Sequence, residues 1–260
     1  SPFGFIAKLE GCRLGNRSEG IHGVKRYLER FGYLRYEGND PHSDDDFFDE
    51  RLYSAVRVYQ ANYRLNVTGE LDAATASVMS LQRCGVPDIV NGTNLMISWR
   101  PYFSFFPDRQ RWPPKKTHLS YLYLTNVPPE YIPAIDRAFE SWASVTRFTF
   151  HRVEDSSDIT VGYFSGDHGD GVPFDGPGGV LAHSFAPTDG RMHFDAAEPW
   201  FDGVKPDRFD VHSIAMHEIG HLLGLGHSSV REAIMWAYFG LGERRTIQPD
   251  DIDGIKALYN

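Results

Sequence analysis

Apolar residues recur at helical spacing through the first eighty positions. Ile21, Val24, Leu28 and Phe31 fall on one stripe, and Gly32 follows where a helix would stop. Phe48, Leu52, Ala55, Val56 and Tyr59 predict a second helix. Asp72, Thr75, Ala76, Val78, Met79 and Leu81 predict a third, after the turn Val67-Thr68-Gly69-Glu70. From Lys116 the pattern becomes mixed. His118 to Leu124 alternates as a strand does, and Phe148-Thr149-Phe150 and Ile159-Thr160-Val161 read as short strands. Pro129 to Val145 carries Ile132, Ile135, Phe139 and Trp142 on one stripe behind its prolines, which predicts an amphipathic helix. Further helices are expected from about Arg208 to Gly224 and from Pro249 to Tyr259, the latter opened by a proline and acidic residues. Residues 89–116, with Trp99-Arg100-Pro101-Tyr102-Phe103 and Trp112-Pro113-Pro114, form a low-regularity linker. The chain therefore reads as α+β, with a helical unit over residues 1–101 and a mixed domain over residues 102–260.

Composition changes this picture little. A chain of 260 residues with 41% hydrophobic and 14% aromatic content can bury one large or two small cores. No run approaches the ~18 apolar residues of a membrane span. A net charge of −9 argues against a nucleic-acid partner. The acidic run Asp44-Asp45-Asp46 with Asp49-Glu50 reads as a solvated loop and helix start. The opening Ser1-Pro2-Phe3, without an initiator methionine, reads as a processed product. Cys12 and Cys84 are the two cysteines. Three glycosylation sequons, at Asn16, Asn66 and Asn91, support passage through a secretory pathway. A Cys12–Cys84 disulfide is the default for such a chain, but the residues around Cys84 argue for another role.

The densest chemistry lies in His217-Glu218-Ile219-Gly220-His221-Leu222-Leu223-Gly224-Leu225-Gly226-His227. On a helix, His217 and His221 project from one face. Gly224 suits a left-handed helix end, after which the redirected chain can return His227 to the same metal. Three histidines leave a fourth tetrahedral position open, as in a catalytic rather than a structural zinc site. Glu218, between the ligands, is the candidate general base.

With Met235 following in Ala233-Ile234-Met235-Trp236, this half resembles the metzincins, whose methionine turn underlies the zinc. The whole chain resembles a matrix metalloproteinase zymogen of the plant type. The resemblance implies a twisted, mostly parallel five-stranded sheet with three helices, preceded by a three-helix peptidoglycan-binding-like propeptide. Gln82-Arg83-Cys84-Gly85-Val86-Pro87-Asp88 matches the family's P-R-C-G-V-P-D cysteine switch except at Gln82, and implies a latent form with Cys84 on the catalytic zinc. By the same resemblance Arg83 pairs with Asp88, and the mature terminus falls near Tyr102–Phe105.

The family pattern further implies a structural zinc on His168, Asp170, His183 and His193, giving two zincs per chain. It implies at least one calcium on Asp175, Asp195, Glu198 and the carbonyls of Gly176, Gly178 and Val180. Asp158 matches one carboxylate of a second calcium site, but Arg191 stands where an acid would complete it. Ala196 and Ala197 remove acids that a third would use. The implied activity is endopeptide hydrolysis of extracellular proteins by a monomer that an activating protease releases. The resemblance also implies secretion and, for the plant type, an optional membrane anchor outside this sequence. Ala237 and Ser213 suggest a roomy apolar pocket, suited to leucine or an aromatic side chain after the scissile bond. The alternative is a non-catalytic, zinc-stabilised carbohydrate-binding protein.

Overall fold

The computed structural model of the chain describes residues 1–38, 40–96 and 102–259. The expected boundary at Pro101 therefore lies outside the described residues. Chain contacts divide into two compact units, one of Ser1–Leu81 with Pro87–Asn94, the other of Gln82–Val86 with Leu95–Asn260. The chain passes from the second unit to the first between Val86 and Pro87, inside the motif around Cys84.

The first unit contains the three expected helices, α1 (Ile21–Arg30), α2 (Glu50–Asn62) and α3 (Ala73–Met79). Asp49 and Asp72 cap the last two, accepting from the amides of Leu52 and Thr75. A 3-10 turn over Gly4–Leu9, which no periodicity announced, adds Ile6 and Leu9 to the core. Tyr27, Phe31 and Tyr59 pack edge to face in its centre. The acidic run is less solvated than its sequence suggests. Lys25 is fully buried, and its Nζ lies 2.8 Å from Asp45 Oδ1 and 3.4 Å from Asp49 Oδ2. A buried ammonium needs such partners, so part of the run is structural. Asp88 is likewise buried, accepting from the hydroxyls of Tyr33 and Tyr63 at 2.8 Å each.

The second unit is built on a five-stranded sheet. Its strands are β1 (His118–Tyr123), β2 (Thr149–Arg152), β3 (Ile159–Phe164), β4 (Ala182–Ser184) and β5 (Arg191–Asp195). The order is β2-β1-β3-β5-β4, parallel throughout except that β4 runs antiparallel to β5 at one edge. The first three strands follow the expected alternation. The last two were not legible as strands, because they are short and interrupted by histidines.

Three helices accompany the sheet: α4 (Ile132–Val145), α5 (Val211–Leu222) and α6 (Pro249–Tyr259). Every residue of α5 is buried, so the helix has no solvent face. Ala134, Ile135, Ala138, Phe139 and Trp142 of α4 supply part of its packing. Aromatic donors from three other places hold carbonyls of its second half and end. Trp142 Nε1 donates to Met216 O at 2.7 Å, Trp112 Nε1 to Leu222 O at 2.8 Å, and the Tyr259 hydroxyl to Leu223 O at 2.8 Å. Trp142→Phe removes one of these bonds and part of a fully buried side chain. Unfolding free energy in denaturant is expected to fall by about 2–4 kcal/mol.

Candidate metal centre and active site

Local chemistry fixes the ends of α5. Asp210 caps it, accepting from the amide of Ser213 at 3.2 Å and from its hydroxyl at 2.6 Å. At the other end Gly224 has φ +100, Gly224 N donates to His221 O, and Leu225 N reaches back to Gly220 O. This is a Schellman ending, in which a residue with Cβ would be strained. The helix is shorter at both ends than its sequence pattern, and the expected left-handed exit at Gly224 is present.

That exit brings His227 back beside His217 and His221, and the donor atoms of these three and of Cys84 lie within 4.8 Å of one another. His217 Nδ1 bonds the carbonyl of Ile234 at 2.7 Å, and His221 Nδ1 that of Leu225 at 2.8 Å. A carbonyl only accepts, so each ring carries its proton on Nδ1 and turns a bare Nε2 inward. The two Nε2 atoms are 3.1 Å apart. Two lone pairs at that distance repel unless a cation lies between them, so the donor set fits a metal such as zinc. Burial first, then the neighbouring His221 and His227, push the His217 imidazole well below its ordinary pKa. That ring is thus neutral, as a ligand must be.

Cys84 reaches this place on an extended segment. Gln82 and Arg83 pair antiparallel with Phe239 and Tyr238, and Cys84 N donates to Ala237 O at 2.9 Å. On the other side Arg83 N donates to Gly179 O, Leu181 N to Arg83 O, and Gly85 N to Ala182 O. The segment is therefore held as a strand between two backbone walls. Gly85 is required by closeness, since a Cβ there would lie 2.7 Å from Val180 Cγ1. Cys84 Sγ stands 3.5 Å from His221 Nε2. Both cysteines are free, which removes the disulfide alternative.

Glu218 is fully buried, and neither carboxylate oxygen has a hydrogen-bond partner. Burial pushes its carboxyl up to about 8, against smaller pulls from the nearby Cys84 thiol and Ser184 hydroxyl. Burial, followed by the charge of Glu218, also raises the Cys84 thiol. Without a cation, then, both groups favour their protonated forms.

A second cluster forms around Asp170 Oδ2, with His168 Nε2, His183 Nε2 and His193 Nδ1 each 2.8 Å away. Burial opposes ionisation of Asp170, but the Val172 amide and His183 hold its carboxyl well below the usual range. Burial lowers His183 to about 4. Nearby, Asp195 Oδ2 and Glu198 Oε2 are buried without partners. Burial, with the charges of Asp195 and Asp175, leaves the Glu198 carboxyl raised to about 7. Asp175 Oδ1 accepts from Val180 N, and Glu198 Oε1 from Gly178 N. Gly176 and Gly178 both have positive φ. Asp158, matched in the sequence to a second calcium site, has protein partners. Its carboxylate accepts from Ser120 N and Oγ and pairs with Lys116 Nζ at 2.6 Å, while Arg191 pairs with Asp189.

A family model described as Matrixin matches residues 111–260. The chain belongs to the matrixin family. It is a zinc metalloendopeptidase, which removes the non-catalytic alternative. A peptidoglycan-binding domain model matches residues 17–79 of the same chain. Metalloendoproteinase 2-MMP of Arabidopsis thaliana is 42% identical over 282 residues, covering 98% of this chain and 74% of that protein. Metalloendoproteinase 1 of Glycine max is 43% identical, covering 94% and 83%. Interstitial collagenase of Equus caballus is 36% identical, covering 94% of this chain and 50% of its own length. No helix among the described residues is long and apolar enough to cross a membrane.

Several residues that support the matrixin site escaped the sequence motifs. Asp251 is buried and accepts from the amides of Ile234 and Met235, fixing the turn whose Ile234 carbonyl orients His217. Ser104 Oγ donates to His227 O at 2.8 Å, and Gly226 N to Ser104 O. Asp210, a capping type three positions before Ser213, carried a local signal; Ser104 and Asp251 carried none. Met235 itself packs under α5, where a Cβ on Gly220 would lie 2.3 Å from its Sδ. Gly220→Ala is expected to displace the turn and lower zinc affinity about 10–100-fold in chelator competition, with helix content by circular dichroism unchanged.

Proposed function

We propose that this chain is the latent form of a secreted zinc endopeptidase, with residues 1–101 as inhibitory propeptide and residues 102–260 as catalytic domain. The observation that carries the reading is the Cys84 thiol placed among three histidine nitrogens by a strand lying between two backbone walls. His217, His221 and His227 would hold the catalytic zinc, with Cys84 as fourth ligand until activation. When bound there, zinc supplies Lewis acidity, lowering the pKa of a water and polarising the scissile carbonyl. Glu218 is the general base. Its oxygens, free of hydrogen bonds, can take the proton of the attacking water and pass it to the leaving amine. Once the Cys84 segment leaves, backbone groups at residues 179–182 and 237–239 that now hold it become available to a peptide substrate.

His168, Asp170, His183 and His193 are proposed as structural zinc ligands. Asp175, Asp195 and Glu198, with carbonyls of Gly176, Gly178 and Val180, are proposed as one calcium site. The orphaned oxygens of Asp195 and Glu198 support it, and Asp158 takes no part. The activating cut is placed no later than Tyr102, earlier than most of the expected window. The carbonyls and hydroxyl of Tyr102 and Ser104 bond Ser229, Gly226 and His227, so cutting beyond them would loosen the third histidine.

Cys84→Ser tests the latency. The intact variant is expected to cleave a quenched peptide at least about tenfold faster than the intact parent, while the Cys84→Ser, Glu218→Gln double variant retains zinc and stays silent. An intact Cys84→Ser variant as silent as its parent, when the trimmed parent is active, would sink the reading.

Glu198 gives a pH test for calcium. Its folded carboxyl is raised from 4.5 to about 7, so without calcium the folded state binds a proton the unfolded chain has released. Thermal stability in chelator should therefore fall as pH rises from about 4.5 to about 7. Added calcium should raise the melting temperature at pH 7.5 and lose this effect below about pH 5.

A further inference from the structure

The residues Gln82–Val86, with Cys84 in their middle, leave the first unit and return to it. Where the chain leaves, Ser80 N and Oγ both donate to Ala76 O, and Leu81 N donates to Val78 O. The departure is thus pinned to the end of α3. Where the chain returns, Asp88 N and Ile89 N both donate to Phe31 O, at 3.1 and 3.2 Å. Gly32, with φ +86, lets the Ile89 carbonyl approach closely, since a Cβ there would lie 2.0 Å from its oxygen.

Asp88 adds a second fastening at the return. It is fully buried, and its Oδ2 accepts from the hydroxyls of Tyr33 and Tyr63. The Tyr33 oxygen accepts in turn from Asn62 Nδ2 at 2.9 Å, and Asn62 exchanges side-chain amide bonds with Asn94. Asn94 closes the hairpin that Ile89 opens. One buried network therefore ties the loop after α1 and the end of α2 to the segment that follows Cys84. Phenylalanine would fill the same space at positions 33 and 63, so the hydroxyls serve the carboxylate rather than the shape of the core. A buried carboxylate deprived of donors bears its full desolvation cost and is driven toward water. The thiol meets the histidines as an intramolecular ligand, so its occupancy depends on how narrowly the chain on either side confines it.

We propose that Tyr33 and Tyr63 are positioning residues of latency. By holding the Asp88 carboxylate they fix the return of the Cys84 segment to the first unit, and so keep the thiol confined at the histidines. The inference rests on the latent-form reading above, and it adds two residues outside the cysteine motif on which the strength of inhibition depends.

The test uses the intact chain, with Cys12→Ser in every background so that Cys84 is the one reporting thiol. Two rates are measured, cleavage of a quenched peptide and reaction of Cys84 with a thiol reagent. Tyr33→Phe with Tyr63→Phe should raise both by about tenfold or more, as expected when a buried charged group loses its donors. Each single variant should give a smaller rise, which keeps the test open if the pair unfolds the unit. Val24→Ala on α1 loosens the same core through a side chain outside the network, and should leave both rates near the parent's. Trimming removes every one of these substitutions, so equal activity of all trimmed chains shows that the catalytic unit was intact. Rates unmoved by the tyrosine changes overturn the inference, as does an equal rise with Val24→Ala at the same loss of melting temperature. An intact parent as active as its trimmed form instead overturns the latent-form reading, and the inference with it.

Discussion

His217 and His221 each give their Nδ1 proton to a backbone carbonyl, and what remains is a pair of bare nitrogens 3.1 Å apart. In a dry interior that arrangement is repulsive unless a cation sits between the lone pairs. Much of the second unit serves to hold it. Trp142, Trp112 and Tyr259 grip the carbonyls of α5, Asp210 and Gly224 set its two ends, and Asp251 fixes the turn that supplies the Ile234 carbonyl. A fully buried helix is unusual as a carrier of polar chemistry. Here burial keeps the His217 imidazole neutral and therefore able to bind metal.

The same economy of charge appears at the other clusters. Asp170 draws three imidazoles to one oxygen, while Asp195 and Glu198 leave buried oxygens without partners. Such groups destabilise a fold on their own, and cations convert them into cross-links between otherwise separate loops. Asp158 shows the contrast, because Lys116 and Ser120 already satisfy it.

In the proposed reading, latency and catalysis would draw on one set of backbone groups. The Gln82–Gly85 segment is held by amides and carbonyls on both flanks, so its affinity owes little to side-chain identity apart from the thiol and the space at Gly85. On that reading, removal of the segment would free a strand-shaped site.

By itself, the sequence determined the three helices of the first unit, the first strands of the sheet, the histidine motif with its left-handed exit at Gly224, and the thiol able to oppose it. Those are local properties, set by spacing and by single residues such as glycine. Strands β4 and β5 were beyond it, because strands of three and five residues become strands only when a neighbour pairs with them. So were the supports at Ser104, Trp112 and Asp251, whose partners lie far along the chain. The burial of Lys25 also needed the tertiary structure. Periodicity marks charged residues for the surface, and only packing decides which of them are enclosed.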